Sequence, residues 1–200
     1  MTGKVMNILI VGVGGQGTVL TSRILAQVAV QMGYDVKVSE IHGMAQRGGS
    51  VVTQVRYGEK VYSPIIAKGD ADILLAFEKL EAARWLDYLK PEGMVIINNE
   101  QVDPLPVMSG KMKYPQDIQQ RIADVIKRSL VVDASNIAVA CGDVRAANVV
   151  LVGVLAAAIG LPSDEINKAI HELVPAKALE ENLKAFIEGQ KQYTSLLAKC

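Results

Sequence analysis

The stretch Asn7-Ile8-Leu9-Ile10-Val11-Gly12-Val13-Gly14-Gly15-Gln16-Gly17-Thr18 decides the fold. Its apolar run predicts a strand, the GxGxxG spacing of Gly12, Gly14 and Gly17 predicts a tight turn, and a helix-like segment runs from Thr18 to Met32. A helix that starts directly after a strand presents backbone N–H groups at the carboxyl edge of a parallel sheet, where a phosphate can be held. The amides of Gly14, Gly15, Gln16, Gly17 and Thr18, with the Thr18 hydroxyl, are the candidate donors. A second glycine turn, Gln46-Arg47-Gly48-Gly49-Ser50, follows the alternating run Val36 to Ile41, so both turns are expected at the same edge.

Outward from these turns, Val36 to Ile41 completes a βαβ unit. The β-branched run Ser50 to Tyr57 turns at Gly58-Glu59-Lys60 toward Val61-Tyr62-Ser63, an inserted hairpin. Ala71 to Phe77 reads as a central strand and Glu78 to Leu89 as a helix stopped at Lys90-Pro91-Glu92-Gly93. Met94 to Asn98 is the next strand. With Pro104, Pro106 and Pro115, residues 100–115 are expected to be extended, with a short strand near Val107 or Met112. A helix through Ile118, Ile122, Val125 and Ile126, a strand at Ser129 to Asp133 and a helix from Ala134 to Ala140 follow. The rest is helical: the apolar Val149 to Leu161 reads as a buried helix, and Ser163 as the cap of the next. The expected class is α/β: a mostly parallel sheet with helices on both faces, a Rossmann-like start, one inserted β-hairpin and extra C-terminal helices.

Composition narrows the function. Lys plus Arg and Asp plus Glu both total 21 in 200 residues, so no net field draws the chain to nucleic acid or anionic membrane. Cys141 and Cys200 are too few for a disulfide framework or an iron–sulfur site, which points to a reducing, cytoplasmic setting, and no metal site is expected. The amino terminus has no signal-like core.

Taken together, Gly14-Gly15-Gln16-Gly17, Arg47-Gly48-Gly49-Ser50 with its β-run to Arg56, Tyr62-Ser63-Pro64, Ala71-Asp72 and Ala147-Asn148 resemble the gamma subunits of the 2-oxoacid:ferredoxin oxidoreductases. The wording Ile41-His42-Gly43-Met44-Ala45-Gln46-Arg47-Gly48-Gly49 is similar to the indolepyruvate branch, where the corresponding chain is the beta subunit. The resemblance implies one gamma-type catalytic domain over residues 1–200. It also implies a subunit, inactive alone, of an enzyme that oxidatively decarboxylates aryl pyruvates to acyl-CoA and reduces ferredoxin. Thiamine diphosphate and iron–sulfur clusters would belong to an alpha partner subunit, with coenzyme A as co-substrate and ferredoxin met through the complex. Self-association is a further expectation, because apolar stripes and a sheet edge need cover.

Individual residues carry two readings each. The glycines Gly12 to Gly17, and Gly48, Gly49 and Ser50, serve a phosphate cradle or only a tight turn. Arg47 offers a planar fork for phosphate or carboxylate, and His42 a proton carrier or a loop-ordering donor. Glu40 stands where a nicotinamide enzyme places its ribose-binding acid, so a freestanding NAD-dependent dehydrogenase is the competing function; a non-enzymatic interaction module on the same fold is the third. Asp143 and Arg145 read as a cap with a local charge pair, Asn148 as a buried amide that needs a partner, and Glu78, Lys79 and Glu81 as a solvated helix face.

Overall fold

The computed structural model describes residues 5–42 and 48–198. Strand β1, Met6–Val13, is followed by helix α1, Thr18–Gln31, and by strands β2, Asp35–His42, and β3, Ser50–Gly58. Strand β4, Ala71–Ala76, helix α2, Lys79–Arg84, and strand β5, Leu89–Asn98, come next. Then follow α3, Leu105–Met108, α4, Ile118–Val125, strand β6, Ser129–Val132, and α5, Ala134–Cys141. Helices α6, Ala147–Ile159, α7, Ser163–Leu173, and α8, Leu179–Leu197, complete the order.

The sheet order is β2-β3-β1-β4-β5-β6. β1, β4, β5 and β6 pair in parallel, while β3 lies antiparallel between β1 and β2. Alternation sends Ile8 and Ile10 to one face and Leu9 and Val11 to the other, all fully buried. The first face packs α1 and α5 to α8; the second packs α2 and α4. This is the α/β class expected, with helices on both faces.

The inserted hairpin differs from expectation in its second arm. β3 pairs back onto β2, from Asp35 opposite Gly58 to His42 opposite Val51, and residues 61–63 form no strand. β2 therefore does not touch β1, and the expected βαβ unit is split by β3. Side chains satisfy the backbone of the 61–66 segment in place of a ladder. Asp35 accepts the Val61 N–H at 3.0 Å, Arg56 donates to the Ser63 and Ile65 carbonyls at 2.8 Å, and Gln54 accepts the Ile66 N–H.

Three further boundaries move. The helix after β4 ends at Arg84, and Leu89-Lys90-Pro91-Glu92-Gly93 joins β5 through a register shift against Ala71 and Ile73, an irregularity that tolerates Pro91. Residues 105–108 form a helical turn where a strand was expected, since Pro106 falls in its first turn, where a missing N–H costs no intrahelical bond. Ser163 is the first residue of α7 and makes no cap; its hydroxyl accepts from Gln190 at 2.8 Å.

Helix α6 is apolar all round because it is enclosed between the sheet and α8. The two helices cross where Gly153 meets Gly189. A Cβ on Gly153 would stand 2.3 Å from the Phe186 carbonyl, and one on Gly189 would stand 2.1 Å from that of Val150. Both neighbours are backbone and cannot yield without separating the helices. Gly153→Ala should therefore lower stability by about 1–3 kcal/mol or more, measured as a lower midpoint of chemical denaturation.

At the amino edge of the strands, Tyr57 is buried against Tyr34, with ring centroids 5.6 Å apart. Burial first, then the Tyr34 and Asp72 charges, push its phenol from 10.0 up to about 12. A folded value above the unfolded one means that this contribution is intact below pH 10.0 and is lost as pH rises through about 12. Tyr57→Phe should remove that share of the alkaline loss in a pH series of unfolding curves.

Candidate functional site

The two glycine turns meet. The Gly14 N–H donates to the Gly49 carbonyl at 2.9 Å, so the turn after β1 and the turn into β3 lie side by side at the carboxyl edge. This was the first expectation drawn from the sequence. It holds because β3 runs antiparallel to β1, from Val13 opposite Ser50 to Met6 opposite Tyr57. Gly12 is itself a strand residue, opposite Val51.

Gln16 holds the turn from within. Its Oε1 accepts the Val13 N–H at 2.8 Å, and its Nε2 donates to the Phe77 carbonyl at the end of β4, 3.1 Å away. Gly17 then enters α1 with φ +87°, a conformation that disfavours a side chain, and a Cβ there would come within 2.7 Å of the Asn148 amide. The first intrahelical bond of α1 runs from the Thr21 N–H to the Gly17 carbonyl.

β1 and β4 are neighbours whose following helices, α1 and α2, pack on opposite faces, so the strand order reverses between them. Such a switch point opens a crevice. Here it holds about 520 Å³, walled by Gly15 to Gly17, by Phe77, Asn98 and Glu100 beyond β4 and β5, and by Ser135, Arg145 and Asn148. Thr18 is buried beside the turn, Gly49 and Ser50 meet that turn from the β3 side, and Gly48 precedes them with φ +76°. Arg47 falls outside the described residues, and for His42 only its place as the last residue of β2 is described.

A polar network runs along the crevice floor. The Phe77 carbonyl accepts from Asn98 at 3.4 Å as well as from Gln16, and Asn98 Oδ1 accepts the Ala134 N–H at 3.0 Å. The Ser135 hydroxyl donates to Glu100. Asn98, Glu100 and Ser135 were not singled out from the sequence; the available signal was the polar residues at or just after the ends of the apolar strands β5 and β6.

On the helical wall, Asn148 is 3 % exposed. Its Nδ2 donates to the Gly17 carbonyl at 3.4 Å, and its Oδ1 is buried with no hydrogen-bond donor. The expectation of a buried amide in need of a partner is thus half met. Arg145 is an exposed side chain clasped by Asp143 at 2.6 Å, and the pairing holds the Asp143 carboxyl below its ordinary range. Asp143 also accepts the Arg145 N–H at 2.9 Å, the cap and charge pair read from the sequence.

Two expectations change. Glu78 and Glu81 are 1 % and 2 % exposed, not a solvated face. Glu78 caps α2 by accepting the Glu81 N–H, and it accepts the Tyr114 hydroxyl; Glu81 accepts from Ser50 at 2.6 Å and pairs with Arg84. Glu40 lies on the edge strand, two positions from β1, and accepts the Ser22 hydroxyl at 2.9 Å. The intervening β3 puts it roughly 10 Å across the sheet from the first turn, displaced from the place of a ribose-binding acid.

The profile of the pyruvate ferredoxin/flavodoxin oxidoreductase family matches residues 7–192. The chain belongs to this family. Among related family members, indolepyruvate oxidoreductase subunit IorB of Pyrococcus horikoshii is 39% identical over 199 residues, covering 97% of this chain and 98% of the relative. The subunit of the same name from Archaeoglobus fulgidus is 41% identical over 194 residues, covering 95% and 96%. In fold, the gamma subunit of the keto/oxoacid ferredoxin oxidoreductase of Geobacter sulfurreducens matches with a TM-score of 0.70 at 23% identity, over 95% of this chain and 99% of that one.

Among the described residues, no three His, Cys, Asp or Glu side chains gather as a metal cluster would need. Burial first, then Glu188, pushes the Cys141 thiol upward from its ordinary value. No helix of the described residues is long and apolar enough to cross a membrane. Gln16→Ala should strip the Val13 N–H of its acceptor and lower stability by about 1–3 kcal/mol, whereas Gly15→Ser, with open space around its Cβ and cost only from φ +105°, should lower it less. Urea titrations of the two variants compare them directly.

Proposed function

We propose that this chain is the non-cofactor-bearing subunit of an indolepyruvate-type 2-oxoacid:ferredoxin oxidoreductase, inactive by itself, working in the cytoplasm with an alpha partner. The observation that carries the reading is the joining of both glycine turns at one carboxyl-edge crevice, through the Gly14–Gly49 bond. A lone dinucleotide fold has no need of the β3 insertion that brings them together. The relatives named IorB support the branch, and the two cysteines leave the clusters to the partner.

Thiamine diphosphate, bound in the partner, supplies the electron sink for decarboxylation. This chain would wall the approach to that centre with Gly15 to Gly17, Glu100 and Asn148, and Arg47 with Gly48 to Ser50 would meet the partner or an anionic group of the co-substrate. Coenzyme A is the co-substrate assigned to this edge; a solved 2-oxoglutarate:ferredoxin oxidoreductase from Magnetococcus marinus, with coenzyme A bound, matches this fold with a TM-score of 0.74 at 18% identity, covering 96% of this chain and 32% of that one. The acidic Glu100 at the crevice suits the amide and hydroxyl hydrogens of such a molecule better than its phosphates.

The reading is tested by reconstitution. Indolepyruvate- and coenzyme A-dependent reduction of an electron acceptor is expected only when this chain and its partner are combined. Tight binding of a nicotinamide dinucleotide by the isolated chain, abolished by Glu40→Ala, would replace this reading with the dehydrogenase one.

A further inference from the structure

The start of helix α2 carries two carboxylates, the cap residue Glu78 and Glu81 in the first turn, at 1 % and 2 % exposure. Buried acids are rare unless fully partnered, and these are partnered in opposite directions. Glu81 accepts the Ser50 hydroxyl at 2.6 Å, and the neighbouring Gly49 carbonyl accepts the Gly14 N–H at 2.9 Å. That chain of bonds ends on the first glycine turn, one wall of the crevice. Glu78 accepts the Val102 N–H at 3.3 Å and the Tyr114 hydroxyl, while the Lys79 N–H donates to the Glu100 carbonyl at 3.1 Å. Glu100 and Val102 belong to the other wall.

We infer that Glu78 and Glu81 form a clamp: positioning residues that fix the two walls of the carboxyl-edge crevice relative to each other through Ser50 and Val102. Neither carboxylate lines the crevice, so neither touches what binds there. The link between the acids is short and stiff, because the Glu81 N–H donates to Glu78 at 2.9 Å within one helical turn. Arg84 at 2.5 Å offsets one of the two charges, and burial together with the Glu78 contact pushes the Tyr114 phenol upward, which keeps it a donor to that carboxylate. A pair serving only to start a six-residue helix would need the cap at Glu78 and not the outward bonds to two separate segments.

The role of the clamp in turnover rests on the function proposed above, and the experiment separates the two. Ser50→Ala cuts one arm and Tyr114→Phe loosens the other, each by the loss of one hydroxyl; Ser50→Thr restores the donor. Amide hydrogen exchange is followed on the full chain in the state in which it purifies, and coenzyme A and indolepyruvate kinetics on the assembled enzyme. The clamp predicts exchange faster by roughly tenfold around Gly49 to Val51 in Ser50→Ala and around Glu100 to Val102 in Tyr114→Phe. It also predicts reversal in Ser50→Thr, and a KM for coenzyme A raised by up to about tenfold with kcat less affected. Exchange unchanged in both segments overturns the clamp whatever the kinetics show. Faster exchange with an unchanged KM upholds the clamp and overturns the placing of coenzyme A at this edge.

Discussion

The antiparallel seating of β3 between β1 and β2 is the constraint on which the rest of the molecule depends. A standard βαβ start would place β2 beside β1 and leave the first glycine turn facing solvent alone. With β3 interposed, the Val13–Ser50 register carries the second glycine turn onto the first, and the Gly14–Gly49 bond closes the pair. The register is secured by burial: Val51, Val52 and Val55 are packed on both sides of the sheet, and a slip of one residue would reverse every one of them.

The same insertion separates this fold from the nicotinamide enzymes it resembles at its first turn. Glu40 is moved to the outer strand and bonded to Ser22, while Gln16 turns inward to tie β1 to β4. What remains at the switch point is a crevice floored by Asn98, Ser135 and Glu100 and bordered by an incompletely satisfied amide, Asn148. Its walls come from four strands and the start of α6, so its shape is set by the whole sheet rather than by one loop. The relatives are named as subunits, and the function proposed above seats a neighbouring subunit over this crevice.

Much of this was legible in the residues. Periodicity located β1, α1, β4, the apolar body of α6 and the stripe of α7, because those segments are governed by one local pattern and by burial. The shared edge of the glycine turns followed from chain direction alone. Where tertiary contacts decided, local reading failed. Residues 61–66 have hairpin composition, yet Asp35, Arg56 and Gln54 reach across to take their backbone groups. Glu78-Lys79-Glu81 has the look of a solvated face, and only the approach of Ser50 and Tyr114 makes its two glutamates a buried pair. Asn98 and Glu100 at the end of β5 and Ser135 after β6 sit in separate stretches of sequence and become neighbours only where the two strands end side by side.

The central claim is that this carboxyl edge faces the partner's reaction centre. A structure of the assembled enzyme with coenzyme A bound tests it most directly. The account predicts the partner seated over Gly15 to Gly17 and Asn148, with its thiamine diphosphate opening toward the crevice. A partner seated instead on the opposite edge, around Tyr57 and Asp72, with the glycine turns open to solvent, would contradict it.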